Sequence, residues 1–134
     1  MDNDALDARI LREIPDEARE LYQRLLAEPP RAGEELRGAI EAHLAAIREA
    51  ARSIEFLPLE MAEAIAAVSL RLLAELDGLA PRARRHAVTA MRYFTLDDDA
   101  ESDTSSVTGL DDDAHVMNAV LDAIGRPEWK VELI

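Results

Sequence analysis

PLEMAEAIAAVSLRLLAELDGLAP, residues 58–81, decides the fold class. Met61, Ile65, Val68, Leu72 and Leu76 recur at steps of three and four, the spacing that puts side chains on one face of an α-helix. Pro58 opens the run and Gly78 stands near its C-terminal end, where those residues suit helix boundaries. Ala62, Ala64, Ala66, Ala67 and Ala74 keep this helix slim and let neighbours approach closely, so it is expected to be the most buried one.

The same period extends outward in both directions. Upstream, Leu36, Ile40, Leu44, Ile47, Ala51 and Ile54 form a stripe that predicts a helix from about Glu34 to Ile54. EPPRAG, residues 28–33, separates it from a helix restarted at Pro15, Asp16 and Glu17, with Ala18, Leu21, Tyr22 and Leu25 on its apolar side. Residues 4–14 predict a short first helix with Leu6, Ile10 and Ile14 on one side. Downstream, Pro81 starts a helix that turns Ala87, Val88, Met91 and Phe94 inward. A last helix is expected from the Asp111–Asp113 triplet to Gly125, with Ala114, Met117, Val120, Leu121 and Ile124 inward. Its three acids would complement the positive end of the helix dipole. EWKVELI, residues 128–134, reads as a docked tail or one short strand. Trp129 is expected to anchor that tail onto the bundle, the alternative being a partner's hot spot.

The expectation is an all-α fold: residues 1–134 as a single helical domain, a compact bundle of five or six helices. An acidic loop, residues 96–110, joins the last two major helices. Almost half of the 134 residues are apolar but only 4% are aromatic, a composition dominated by Ala and Leu that favours helix. There is no cysteine, which excludes disulfides, thiolate zinc sites and cysteine nucleophiles. The N-terminal residues are charged and do not resemble a signal peptide, and no run approaches the roughly 18–20 apolar residues of a membrane span. These features predict a soluble cytoplasmic protein.

Charge is distributed unevenly. Between Arg92 and Arg126 stand nine acidic residues and no Lys or Arg, giving −9 of the net −13. Elsewhere 19 acids face 15 bases. An acidic balance argues against nucleic acid and anionic membrane as partners, because phosphate binding needs clustered bases. Basic proteins and cations remain compatible with it.

The window from Tyr93 to Ala114, YFTLDDDAESDTSSVTGLDDDA, resembles the signature of the YkvA-like family, a bacterial group usually annotated only as a domain of unknown function. Laid on that signature without a gap, Tyr93, Asp99, Asp103, Gly109, Asp112, Asp113 and Ala114 fall on matching positions. Asp97, Ser102 and Ser106 stand where the family usually has proline, and polar residues replace its intervening apolar ones. The resemblance covers about 22 residues. It implies a helix, a connecting segment and a helix, with the acidic positions meeting near the turn, and it brings no reaction with it. Membrane association is not carried over, because ionised carboxylates in hydrocarbon are costly.

Asp99, Asp103, Asp112 and Asp113 are the candidate metal ligands, since Ca2+ and Mg2+ want several oxygens converging on one point. No EF-hand pattern is present: counted from Asp97, the sixth residue is Ser102 and the twelfth Thr108. The competing reading makes these acids helix caps, ion-pair partners and solvated loop residues. Arg85 and Arg92 are the candidate pairing residues, with Arg92 placed to meet Asp99 or Asp103 around the helix end. His43 is expected at the core edge and His86, among arginines, in solvent; His115 could join a metal site or bond to Asp111 or Asp112. No HExxH, P-loop, GxGxxG or GxSxG occurs, so no catalytic residue is assigned. The leading expectation is a small non-enzymatic protein acting through protein–protein contacts, including a homodimer. Two alternatives stand beside it: a divalent-cation-binding or metal-dependent protein, and an acidic antitoxin or immunity-type protein.

Overall fold

The computed structural model describes residues 3–29, 31–53, 58–96 and 107–132. Six α-helices form a compact bundle: α1 (Asn3–Glu13), α2 (Asp16–Ala27), α3 (Gly33–Ala51), α4 (Leu59–Glu75), α5 (Pro81–Thr95) and α6 (Val107–Ala123). Short 3-10 turns follow α4 at Leu76–Gly78 and α6 at Pro127–Trp129, and the described residues hold no strand. No described helix is long and apolar enough to cross a membrane.

α5 and α6 pack together at the centre. α2 and α3 lie against α5, α1 lies against α6, α3 pairs with α4, and α4 also touches α6. One hydrophobic cluster runs through all six helices. Tyr22, Ile40, Ile65, Met91, Phe94 and Leu121 are among its fully buried large side chains. Each removes enough apolar surface from water to contribute about 1.5–3 kcal/mol.

The expected faces hold on most elements. Leu36, Ile40 and Ile47 are buried on α3, with Leu44 and Ala51 partly so, and Met61, Ile65 and Leu72 are buried on α4. Ile54 lies outside the described residues. His43 is buried and meets the Phe94 ring edge-on at 4.9 Å between centroids, which fits its expected place at the core edge.

Three expectations need correction. Among the described residues the most buried helix is α6, where Leu110, Asp113, Ala114 and Val116 through Leu121 are buried, followed by α5, where His86 through Phe94 are all buried except Tyr93; α4 buries one face and leaves Ala67 and Ala74 in solvent. The reason is that α5 and α6 bury polar side chains, such as His86 and Asn118, whose hydrogen bonds offset their desolvation. Apolar counting does not see that compensation. Second, α6 begins at Val107, so Asp111–Asp113 fall in its second turn rather than at its cap. Asp113 is only 4% exposed. Third, His86 is fully buried, for reasons given below.

The C-terminal segment is a docked tail. Gly125 takes φ +85°, a conformation that L side chains rarely adopt, and Arg126 N–H donates to the Leu121 carbonyl at 2.8 Å. That glycine-based C-cap turns the chain back along α6. Asn118 then holds Val131 from both sides: Val131 N–H donates to its Oδ1 at 2.7 Å and its Nδ2 donates to the Val131 carbonyl at 2.9 Å. Arg71 stacks over Trp129 at 4.0 Å from the ring centroid. Trp129 therefore anchors the tail, as expected.

Candidate functional site

Helix α5 carries four arginines, which tie it to α1, to the end of α2 and to the turn after α4. Arg82 makes a bidentate pair with Asp7 of α1, with Nε at 2.9 Å and Nη2 at 2.6 Å. Arg84 donates to the Leu76 and Leu79 carbonyls beyond α4, at 3.1 and 3.2 Å. Arg85 donates to the Leu26 and Glu28 carbonyls at the end of α2, at 2.8 and 3.2 Å. Arg92 binds the Glu28 carboxylate at 2.5 Å. A guanidinium at a helix C-terminus satisfies carbonyls left without intrahelical partners and opposes the negative end of the dipole. Arg19 repeats the device at the end of α1, donating to the Leu11 and Ile14 carbonyls.

Next to Arg82 runs a buried polar chain. His86 Nε2 lies 2.6 Å from Asp7 Oδ1, and its Nδ1 lies 2.6 Å from the Tyr22 hydroxyl. A carboxylate only accepts, so the neutral ring carries its proton on Nε2, and Nδ1 accepts from the tyrosine. The Arg82 hydrogen bonds hold the Asp7 carboxyl below its usual range; burial opposes this and the His86 hydrogen bond reinforces it. Burial pushes the Tyr22 phenol well above its usual value. Burial also lowers His86 and outweighs the pull of Asp7 towards protonation. The phenol is thus kept from ionising at neutral pH, and the imidazole has no exposed surface. This arrangement ties α1, α2 and α5 together.

The acidic positions divide. Asp99 and Asp103 lie outside the described residues. Asp112 is half-buried and Asp113 buried, one turn inside α6, while Asp111 stands 3.8 Å from His115. Among the described residues no group of three or more His, Cys, Asp or Glu side chains converges as a metal site. Among those residues the charged partner of Arg92 is Glu28, just past the end of α2. The Arg92 hydrogen bond also lowers the Glu28 carboxyl.

A cleft of about 550 Å³ opens where the starts of α3 and α5 meet the end of α4. Leu36, Leu73, Leu76 and Val88 give it an apolar wall. Arg31, Arg84 and Arg85 line it together with Glu34 and Asp77. Neither the buried polar chain nor this cleft was visible in the sequence. Asp7, Tyr22 and Arg82–His86 are 64 to 79 residues apart along the pairs that meet, and no spacing rule links them. The one available signal was the cluster of bases on α5 with a histidine inside it.

No family model, curated protein or solved structure matches this chain.

Proposed function

We propose that this chain is a small non-enzymatic protein that acts by docking a partner protein rich in Lys and Arg against its acidic exterior. The observation that carries this reading is the partition of charge. Arg82 and Arg92 of α5 are neutralised by Asp7 and Glu28, and among the described residues exposed acids outnumber exposed bases. Asp111, Asp112 and Asp122 on α6 extend the acidic stretch that precedes them in sequence, with Lys130 offsetting only Asp122. Complementary potential of this kind speeds encounter and suppresses wrong partners. A second copy of the chain, carrying the same −13, fits that surface less well than a basic protein does. An antitoxin or immunity protein facing a basic toxin is one form of the reading. The resemblance to the YkvA-like family remains part of the proposal and adds no reaction.

The test is chemical crosslinking with mass-spectrometric identification at about 50 and 500 mM salt, where the screening length differs several-fold. One basic partner, crosslinked near α6 and released by the higher salt, supports the reading. Partners that are neutral or acidic, or capture that ignores salt, refutes it.

A further inference from the structure

We infer that the cleft between the starts of α3 and α5 and the end of α4 binds a small amphiphilic carboxylate, its anion at Arg84 and Arg85 and its apolar body against the wall of Leu36, Leu73 and Val88. This goes beyond partner docking and stands or falls separately from it.

The charges on α5 point to the ligand's sign. Arg82 and Arg92 are neutralised by carboxylates, whereas Arg84 and Arg85 bond only to carbonyls among the described residues. A carbonyl satisfies a donor without cancelling its charge. Both guanidinium groups are half-buried, so solvent screens them less than it screens the exposed Glu34 and Asp77. The exposed Arg31 adds a third cation to the rim. A positive pocket therefore sits within a strongly acidic protein.

The geometry points to the ligand's form. In each of Arg84 and Arg85 the carbonyl bonds use Nε and Nη2, so Nη1 stands outside them as a donor. The carbonyl contacts hold both side chains in place before any ligand arrives, which reduces the ordering cost of binding. The volume falls within the range usual for small-molecule sites, and an apolar wall with a few converging polar groups is their usual lining. Two acids on the rim oppose highly charged anions, so a single carboxylate suits the site better than phosphate.

Calorimetric titration with octanoate, 1-octanol, acetate and inorganic phosphate tests this. The expected result is one saturable octanoate site, with the alcohol, acetate and phosphate each at least tenfold weaker, because each lacks half of the recognised chemistry. Asp77→Asn removes a repelling charge from an exposed position and is expected to tighten octanoate binding two- to fivefold, leaving octanol unchanged. Gly33 lines the cleft, and a Cβ built there meets no atom within 4 Å, so Gly33→Leu is expected to fold normally and weaken octanoate at least tenfold. Octanoate binding no tighter than octanol, or binding untouched by both substitutions, would show surface adsorption and overturn the inference. Phosphate binding tighter than octanoate would overturn the ligand class.

Discussion

Replacing Asp7 by Asn tests the buried polar chain at its most connected atom pair. The carboxylate accepts two hydrogen bonds from Arg82 and one from His86. Asn keeps the shape and one acceptor, but its Nδ2 faces a donor where the second oxygen stood. With its oxygen in the place of Oδ1, Asn keeps the Arg82 Nε and His86 bonds but loses the charge-assisted bond from Arg82 Nη2, and the two that remain lose the carboxylate's charge. Such bonds contribute roughly 1.5–3 kcal/mol each when buried. Here the side chains of Asp7 and Arg82 are 22% and 28% exposed, so water recovers part of the loss. A net cost of about 2–4 kcal/mol follows. For a domain of this size that is a fall in Tm of roughly 8–15 °C. The assay is thermal unfolding followed by circular dichroism at pH 7. A Tm within about 2 °C of the parent would refute the reasoning.

The same variant has a pH signature. In the parent, burial depresses His86 below its usual 6.5. The unfolded chain then takes up a proton there before the folded one does, so stability falls as pH drops from 6.5 towards the native value. Without Asp7 the depression deepens, because the carboxylate's opposing pull is gone. Between 6.5 and the parent's native value both proteins lose stability alike; the gap between parent and variant should widen once the pH falls below the parent's native value, where only the parent's His86 takes up its proton. Asp7 itself is depressed below 3.8, so its own contribution is fully present above that pH and is lost only as pH falls through the native value. The gap narrows again there. A gap that never widens as the pH is lowered from 6.5 to unfolding would count against this account of His86.

Further outcomes follow from other contacts. Tyr22→Phe leaves the fully buried His86 Nδ1 without its donor and should cost about 1–3 kcal/mol by chemical denaturation; an unchanged midpoint would show that another donor reaches the ring. Asn118→Ala releases Val131, so hydrogen exchange at the Val131 amide should accelerate and Trp129 emission should shift, while the exchange-protected core of α5 keeps its rates. Melting chelator-treated protein in Ca2+, Mg2+ or Mn2+ at equal ionic strength tests the cation reading: a rise specific to one cation and absent from Asp112→Asn would support it, and equal melting temperatures in both proteins would count against it.

Helix positions were legible because proline and apolar spacing act locally. Pro15, Pro58 and Pro81 each stand at or just before a helix start, and the stripes on α3 and α4 face the core as their period requires. The start of α6 was misplaced because Gly109 and the flanking Ser and Thr residues read as loop, while the helix runs through Gly109. The burial of α5 was underestimated for a different reason. His86, Thr89 and Arg92 count as polar in any local pattern, and their partners at Tyr22, Asp7 and Glu28 lie far off in the chain. Thr89 alone finds a nearby acceptor, the Arg85 carbonyl. Internal pairing of the basic helix was legible as a need of charge. Its partners were not, since a carbonyl at a helix end carries no mark in the sequence.

The long reach of α5 bears on how the chain acquires its structure during synthesis. α3 and α4 are neighbours in sequence and can pair as soon as both have left the ribosome. α1 and α2 cannot do so to the same extent, because their main packing surfaces are α6 and α5. Asp7 waits 75 residues for Arg82, and Tyr22 waits 64 for His86. At roughly 5–20 residues per second, that leaves the apolar faces of the first two helices uncovered for several seconds. Contacts of such separation also slow folding in free solution, since the loop between them must close before they reward it. The N-terminal pair is therefore the part of this fold most exposed to chaperones and proteases in a nascent chain, although it is well covered in the finished one.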